Sequence, residues 1–258
     1  MHPVLLQIGP LTVYSYGAML AVSVLVCAWG LSRDAAKIGL SKDAAYDLLF
    51  WAAAGGIIGA RIFYVALYWE HFMEMPLEVL MLNHGGLAWQ GGFAGGVLAG
   101  FIWSKRHTLP LSQILDLAAP YVALGQAVGR LGCFFNGCCF GKPWARGIFF
   151  PTHNARLHPT QLYEFAGLLL IFVFLKIYAA KLHRQACPPK LNAKAIQRRR
   201  GMVFVAYLWL AAIERFAVEF FRADHDGLWW GLSLFQYIAI IIFIASIIAF
   251  KKFRKGTP

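Results

Sequence analysis

An all-α, polytopic membrane protein with about seven transmembrane helices is the fold class this sequence predicts, and three observations predict it. The chain has 258 residues, of which 59% are hydrophobic and 14% charged, against roughly a quarter charged in soluble domains. Mean hydropathy is +0.58, which leaves too few polar residues to cover a water-facing surface. A soluble globular enzyme, a disordered chain and a disulfide-stapled secreted module are excluded on that ground. The apolar residues also fall in continuous runs of bilayer length rather than the ~10-residue alternating segments of a barrel. Finally, Lys and Arg collect in alternate connections, as the positive-inside rule requires of a polytopic chain.

The chain reads as one integral membrane domain, 1–258, with approximate spans at 11–32, 44–68, 86–104, 111–131, 162–181, 202–221 and 230–250. The start Met1-His2-Pro3-Val4 has no basic n-region and no A-x-A cleavage site, so the first run reads as a retained span. The fourth is the most polar, interrupted by Gln113, Asp116, Pro120 and Gln126. Sixteen Lys and Arg fall in the connections of one side, against five (Arg130, Lys142, Arg146, Arg156, Arg222) on the other. The N-terminus is therefore expected outside and the C-terminus in the cytoplasm. A net charge of +12 would suggest nucleic acid in a soluble protein. Here the basic connection 182–201, including Arg198–Arg200, reads as a solvated topology determinant facing anionic lipid headgroups, with no nucleic-acid partner.

With orientation fixed, the intramembrane polar residues acquire depths at ~1.5 Å per residue. Tyr16, Arg61, Gln90, Glu164, Glu214, Arg215 and Glu219 all fall toward the outer side, with Arg222 at the exit of the sixth span. Lys176 alone lies toward the cytoplasm, where it is expected to snorkel. Ionisable groups in a span cost about 2.5–3.5 kcal/mol each on insertion scales, so they face a polar cavity or one another. Arg215, Glu219 and Arg222 share a helix face by their i, i+4, i+7 spacing. A helix-pinning salt bridge explains one such pair, but not a common depth across five spans.

The connection after the fourth span reads Gly129-Arg130-Leu131-Gly132-Cys133-Phe134-Phe135-Asn136-Gly137-Cys138-Cys139-Phe140-Gly141, then His158-Pro159-Thr160-Gln161-Leu162-Tyr163-Glu164. It carries Arg130, Lys142, Arg146 and Arg156 against the charge rule, which suggests an anion to be bound. Arginine forks and glycine backbone suit a phosphate. Gly55/Gly59, Gly91/Gly95 and Gly92/Gly96/Gly100 follow small-xxx-small spacing for helix contact, and Gly85-Gly86 and Gly91-Gly92 could instead break a helix near a cavity.

Of the five cysteines, Cys27 reads as packing and Cys187 as a reduced cytoplasmic thiol. A disulfide on the outer side would pair Cys133 with Cys138 or Cys139, the vicinal pair being awkward. A zinc site from these thiols with His153 or His158 lacks the usual paired spacings, so no metal is expected. Nothing in the sequence marks any of them as a low-pKa nucleophile.

These segments together resemble the prolipoprotein diacylglyceryl transferase family of bacteria. The resemblance covers Gln7-Ile8-Gly9-Pro10, Tyr14–Gly17, Gly59-Ala60-Arg61, His84–Gly92, Gly129–Gly141, His158–Glu164, Arg215–Arg222 and Leu232–Gln236. There are departures. Gln90 stands where many members have a histidine considered as the base, and Gln cannot fill that role. Cys133 and Cys138 stand where Asn and Glu are frequent, so roles proposed for those two are not carried over.

The resemblance implies transfer of the diacylglyceryl group of phosphatidylglycerol to the lipobox cysteine of a preprolipoprotein signal peptide. A thioether forms and glycerol 1-phosphate leaves, without cofactor or metal. The expected catalytic residues are Arg130, Arg215, Glu219 and Tyr16. The expected substrate-binding residues are Arg130, Asn136, Gly141, Gln90, Arg61, Arg222 and His158. The base stays open between His158, Glu219 and water beside a cationic site. The expected location is the bacterial inner (plasma) membrane, with the active site toward the outer face. The alternative is a transporter or flippase of an anionic solute or lipid, for which an inverted repeat and mid-bilayer polar groups would be expected; a non-catalytic lipid-binding scaffold is the third reading.

Overall fold

The computed structural model describes residues 4–8, 11–81, 86–186, 200–223 and 229–255. The expectations for Gly9, Pro10, His84, Gly85, Cys187 and the basic stretch 187–199 lie outside the described residues. The fold is helical: α1 (Ser15–Ala35), α2 (Lys42–Leu67), α3 (Trp69–Glu74), α4 (Trp89–Arg106), α5 (Leu111–Asn136), α6 (Thr160–Ala186), α7 (Met202–Glu219) and α8 (Leu234–Lys255). Two small antiparallel pairs accompany them, β1 (Val4–Ile8) with β2 (Leu11–Tyr14) and β3 (Pro143–Phe150) with β4 (Ala155–Leu157).

Among the described residues, four helices are long and apolar enough to cross a membrane, at Ser15–Ile38, Lys42–Leu67, Thr160–Arg184 and Leu234–Lys251. Their outward faces carry bare apolar side chains such as Leu25, Ile62, Leu170, Ile177 and Ile241. Patches on this scale suit lipid rather than water. Of the remaining long helices, α7 carries Glu214, Arg215 and Glu219, and α5 carries Asp116 and Arg130, which lowers their apolar character.

Boundaries differ from expectation most clearly at four places, one of them α8, which starts at Leu234 rather than 230 and runs to Lys255 rather than 250. Residues 11–14 are strand, because Leu-Thr-Val-Tyr alternates and pairs with Val4–Ile8. Gly129–Asn136 is the last part of α5 rather than a loop, since no chain reversal occurs before Gly137, whose φ is 79°. The α6 helix runs on to Ala186, into the stretch expected as a loop.

The chain forms two compact units, Ser32–Ile114 and Met1–Leu31 with Leu115–Pro258. In the first, α2 and α4 meet through glycines. A Cβ on Gly91 would lie 2.2 Å from the Gly59 carbonyl oxygen, and one on Gly95 would lie 2.2 Å from that of Gly55. Within lipid there is no water to drive helices together, so this close packing is what holds the pair. Gly100, by contrast, has open space around its Cα and is not part of the contact.

In the second unit, Ala119, Ala123 and Ala127 form a low ridge on α5 against Leu168, Ile171 and Leu175 of α6 and Val203 and Tyr207 of α7. The polar residues that interrupt α5 are structural. Asp116 accepts from the Gly201 and Phe204 amides at 2.6 and 2.9 Å, capping α7 from outside its own sequence. Gln126 accepts from the Tyr207 hydroxyl at 3.0 Å. Lys176 does not simply snorkel: its ammonium donates to the Tyr121 hydroxyl at 3.0 Å, and that hydroxyl donates to the Gly30 carbonyl at 2.7 Å. Cys27 is buried and donates to the Tyr121 carbonyl, as its packing role requires.

Candidate active site

The site is built around one carboxylate. Glu164, in the first turns of α6, is 2% exposed. Its Oε2 pairs with Nε of Arg130 from α5, and its Oε1 receives Nη1 of Arg215 at 3.1 Å and Nη1 of Arg222 at 3.0 Å. A second carboxylate, Glu219 of α7, lies 2.9 Å from Nη2 of Arg215 and 3.9 Å from Nε of Arg222. Three guanidiniums face these two carboxylates, and Glu214 is a third acidic group close enough to Glu164, Arg130 and Arg215 to interact with them. Arg215 also sits 4.9 Å over the Phe235 ring. Glu214, packed beside Gly167, has a buried oxygen with no hydrogen-bond partner.

Local sequence explains how these groups are held. Ser233 and Gln236 form a reciprocal cap at the start of α8, with the Ser233 amide donating to Gln236 Oε1 at 2.9 Å and the Gln236 amide to Ser233 Oγ at 3.3 Å. The same Ser233 hydroxyl donates to Glu219 Oε1 at 2.7 Å, so the cap also fixes the carboxylate. Gly141 forms an isolated bridge to Arg222, and its amide donates to the His158 carbonyl at 2.9 Å. A Cβ there would lie 2.4 Å from the Phe221 carbonyl oxygen, so only glycine lets the two backbones meet. With its amide thus engaged, Gly141 positions Arg222 rather than offering an N–H to an anion.

Beside the ionic cluster lies a cleft of about 440 Å³, lined by Trp144, His158, Tyr163, Ala217, Val218 and Phe221. The His158 ring stacks flat on Trp144 at 4.5 Å, with Nδ1 3.1 Å from the Tyr163 hydroxyl. Tyr16 is exposed and packs across Gly132 of α5, two residues beyond Arg130. Asn136 is exposed at the end of α5 and hydrogen-bonds Cys138. Hydrogen bonds from the Cys133 and Cys138 thiols, reinforced by the Arg222 and Arg130 guanidiniums, hold the Cys139 thiol below the ordinary thiol range.

Arg61 departs from its expected place at substrate. Its Nε donates to the Val79 carbonyl, Nη1 to Gly86, and Nη2 to Glu78 and Met81, with the guanidinium 5.3 Å over the Phe72 ring. It is a buried clamp on the backbone of Glu78, Val79, Met81 and Gly86, with these donors already engaged. Gln90 is exposed at the start of α4. Both belong to the unit Ser32–Ile114, whereas the arginine cluster belongs to the other. Glu164 and Ser233 were not among the expected site residues. Their signals were present, as an acidic residue within an otherwise apolar helix start and as a Ser-x-x-Gln before an apolar run.

A family model described as prolipoprotein diacylglyceryl transferase matches residues 3–251. The chain belongs to the prolipoprotein diacylglyceryl transferase family. Among relatives named phosphatidylglycerol–prolipoprotein diacylglyceryl transferase, that of Clostridium tetani is 31% identical, covering 99% of this chain and all of the relative. That of Bacillus cytotoxicus is 34% identical over 95% of this chain and 89% of the relative. That of Halalkalibacterium halodurans is 32% identical over 95% and 84%. Family membership makes this transferase family member a membrane enzyme and gives no support to the transporter alternative.

Proposed function

We propose that this family member transfers the diacylglyceryl group of phosphatidylglycerol to the lipobox cysteine of a preprolipoprotein, and that the partly exposed Arg130 and Arg215 grip the lipid phosphate, with the buried Arg222 adding positive charge behind them. The observation that carries the residue assignment is the convergence of these three guanidiniums on Glu164. In the reaction the thiol sulfur attacks the terminal glycerol carbon of the diacylglyceryl group. A C–S bond forms, the C–O bond to phosphate breaks, and the phosphodiester leaves as the monoester glycerol 1-phosphate. Negative charge moves from the sulfur onto the phosphate. Fixed guanidiniums at that point favour the transition state over the ground state.

Glu164 and Glu219 hold the arginine forks in place before substrate arrives, which is the preorganisation such catalysis needs. Glu219 has Oε1 on Ser233 and Oε2 beside Arg215, so it orients rather than accepts a proton. The thiol proton goes to His158, the imidazole lining the adjacent cleft, whose apolar walls receive the apolar stem of the substrate. Tyr16 and Asn136, exposed near the end of α5, contact the headgroup or the incoming peptide.

The seven long helices each cross the bacterial inner membrane, with the N-terminus outside and the C-terminus in the cytoplasm; the asymmetry of Lys and Arg supports this orientation. The cluster then faces the outer leaflet, and phosphatidylglycerol, the lipobox signal peptide and the bilayer are the partners. The test is Arg130→Ala in purified protein. Inserted and folded variant is expected to lose transfer by about 10²–10³-fold. Transfer at the wild-type rate would refute the assignment.

A further inference from the structure

The proposed chemistry leaves one group of reactive side chains unused. The Sγ atoms of Cys133, Cys138 and Cys139 all lie within 4.8 Å of one another. Cys133 is in the last turn of α5, and the chain then reverses through Gly137 at φ 79° and Cys139 at φ 62°. A left-handed backbone at a non-glycine residue costs energy and persists only where its surroundings hold it.

Here the surroundings are explicit. The Gly137 and Cys138 amides both donate to the Cys133 carbonyl, at 3.0 and 3.2 Å. Thr160 Oγ1 donates to the Cys139 carbonyl at 2.7 Å, and Gln161 Nε2 donates to that of Cys138 at 2.6 Å. Thr160 and Gln161 are both fully buried at the start of α6. The turn is therefore anchored on either side of the thiols by backbone and α6 side-chain hydrogen bonds, to which the Cys138 thiol adds one by donating to the Cys133 carbonyl at 3.7 Å.

The geometry points to a three-thiolate site for a thiophilic metal ion, with zinc as the divalent ion of matching chemistry. Zinc–sulfur bonds of about 2.3 Å place ligand sulfurs somewhat under 4 Å apart in tetrahedral geometry. The three sulfurs need only a small contraction to reach that spacing. An all-sulfur donor set selects soft or borderline ions over magnesium or calcium. Binding would release the thiol protons and leave three sulfur negative charges on a doubly charged ion. Arg130, three residues before Cys133 on the same helix face, and Arg222 supply compensating charge nearby. The fourth tetrahedral position falls to water. The ion would staple the end of α5, which carries Arg130, to the segment leading to Gly141 and hence to Arg222.

The spacing rules for paired zinc ligands miss this site, because two of its ligands are adjacent in sequence and only the positive-φ turn separates their side chains. The inference stands apart from the transfer reaction, which as proposed uses no metal.

The test uses the full-length protein, purified in detergent with a phosphine reductant, loaded with zinc chloride, desalted and analysed for metal. About one zinc per chain is expected. Cys133→Ser, Cys138→Ser and Cys139→Ser should each weaken binding at least tenfold against a chromophoric chelator, while Cys27→Ser does not. Zinc should also raise the thermal midpoint of the parent protein and not that of Cys139→Ser, which separates a specific site from loose thiol binding. No zinc retained above the level of the variants would overturn the site. So would a disulfide joining Cys133 to Cys138 or Cys139 in protein taken directly from membranes. Zinc-free protein that transfers lipid but never binds zinc refutes the metal site alone; zinc binding without transfer refutes the transfer reading alone.

Discussion

Replacing Glu164 with Gln probes the centre of the arginine cluster with almost no change of shape. The carboxylate is 2% exposed and takes Arg130 on one oxygen and Arg215 and Arg222 on the other. An amide of the same size has one oxygen and one NH₂. Whichever way it turns, a donor is set against at least one guanidinium donor. With the NH₂ on the Oε2 side, Arg130 is released; turned the other way, Arg215 and Arg222 are. The negative charge is lost in both cases, so the three cations are left with Glu219 beside Arg215 and Arg222 and with Glu214 near Arg130 and Arg215.

Breaking a buried ion pair by removing one partner costs about 3–5 kcal/mol. Arg130 and Arg215 retain some exposure, at 26% and 22% of their side chains, so the lower end of that range applies. For catalysis, displacing one preorganised donor costs about 10²–10³ in rate. The assay is transfer from phosphatidylglycerol to a lipobox peptide by purified protein, with thermal unfolding measured on the same preparation. Glu164→Gln should lose at least a hundredfold in kcat and unfold at lower temperature, and Glu164→Asp should recover part of both. A Glu164→Gln enzyme with parent kcat would show that the carboxylate does not organise the arginines that act, and the reasoning would fail.

Other variants separate clamp from site. Arg61→Ala should lower the thermal midpoint and leave the KM for phosphatidylglycerol unchanged, since its donors hold backbone carbonyls; a raised KM with an unchanged midpoint would return Arg61 to the substrate. Gly91→Ala puts a methyl 2.2 Å from the Gly59 carbonyl oxygen, so α2 and α4 must part at a cost of about 1–3 kcal/mol, read as a lower unfolding temperature. His158→Gln should cut transfer at neutral pH by about 10²–10⁴-fold. It should regain activity as pH rises through the ordinary thiol range near 8.5, where water alone ionises the substrate thiol; a constant deficit at every pH would give the proton to another group.

Much of this was legible in the sequence because membranes impose simple rules. Apolar runs located the long helices, and helical spacing put Arg215 and Glu219 on one face, whereas Arg222, expected on that face too, lies beyond the end of α7. Glycines at four-residue spacing marked the α2–α4 contact, though not that Gly100 stands outside it. What the sequence could not show was which charges meet. Glu164 looked like one polar residue among several, and only the fold brings arginines from α5, from α7 and from beyond its end onto it. Arg61 looked like part of the same set by depth, but the carbonyls of Glu78, Val79, Met81 and Gly86 occupy its donors. The three thiols failed every spacing rule and were still brought together by a turn that no composition or periodicity encodes.

The most direct measurement is of lipid retained by the purified protein. Protein reconstituted in bilayers of equal phosphatidylglycerol and phosphatidylcholine, then extracted and analysed by mass spectrometry, should carry phosphatidylglycerol in clear excess. That excess should fall at least tenfold in Arg130→Ala and in Arg215→Ala. Equal enrichment in the parent protein and both variants would contradict the claim that these guanidiniums hold the phosphate.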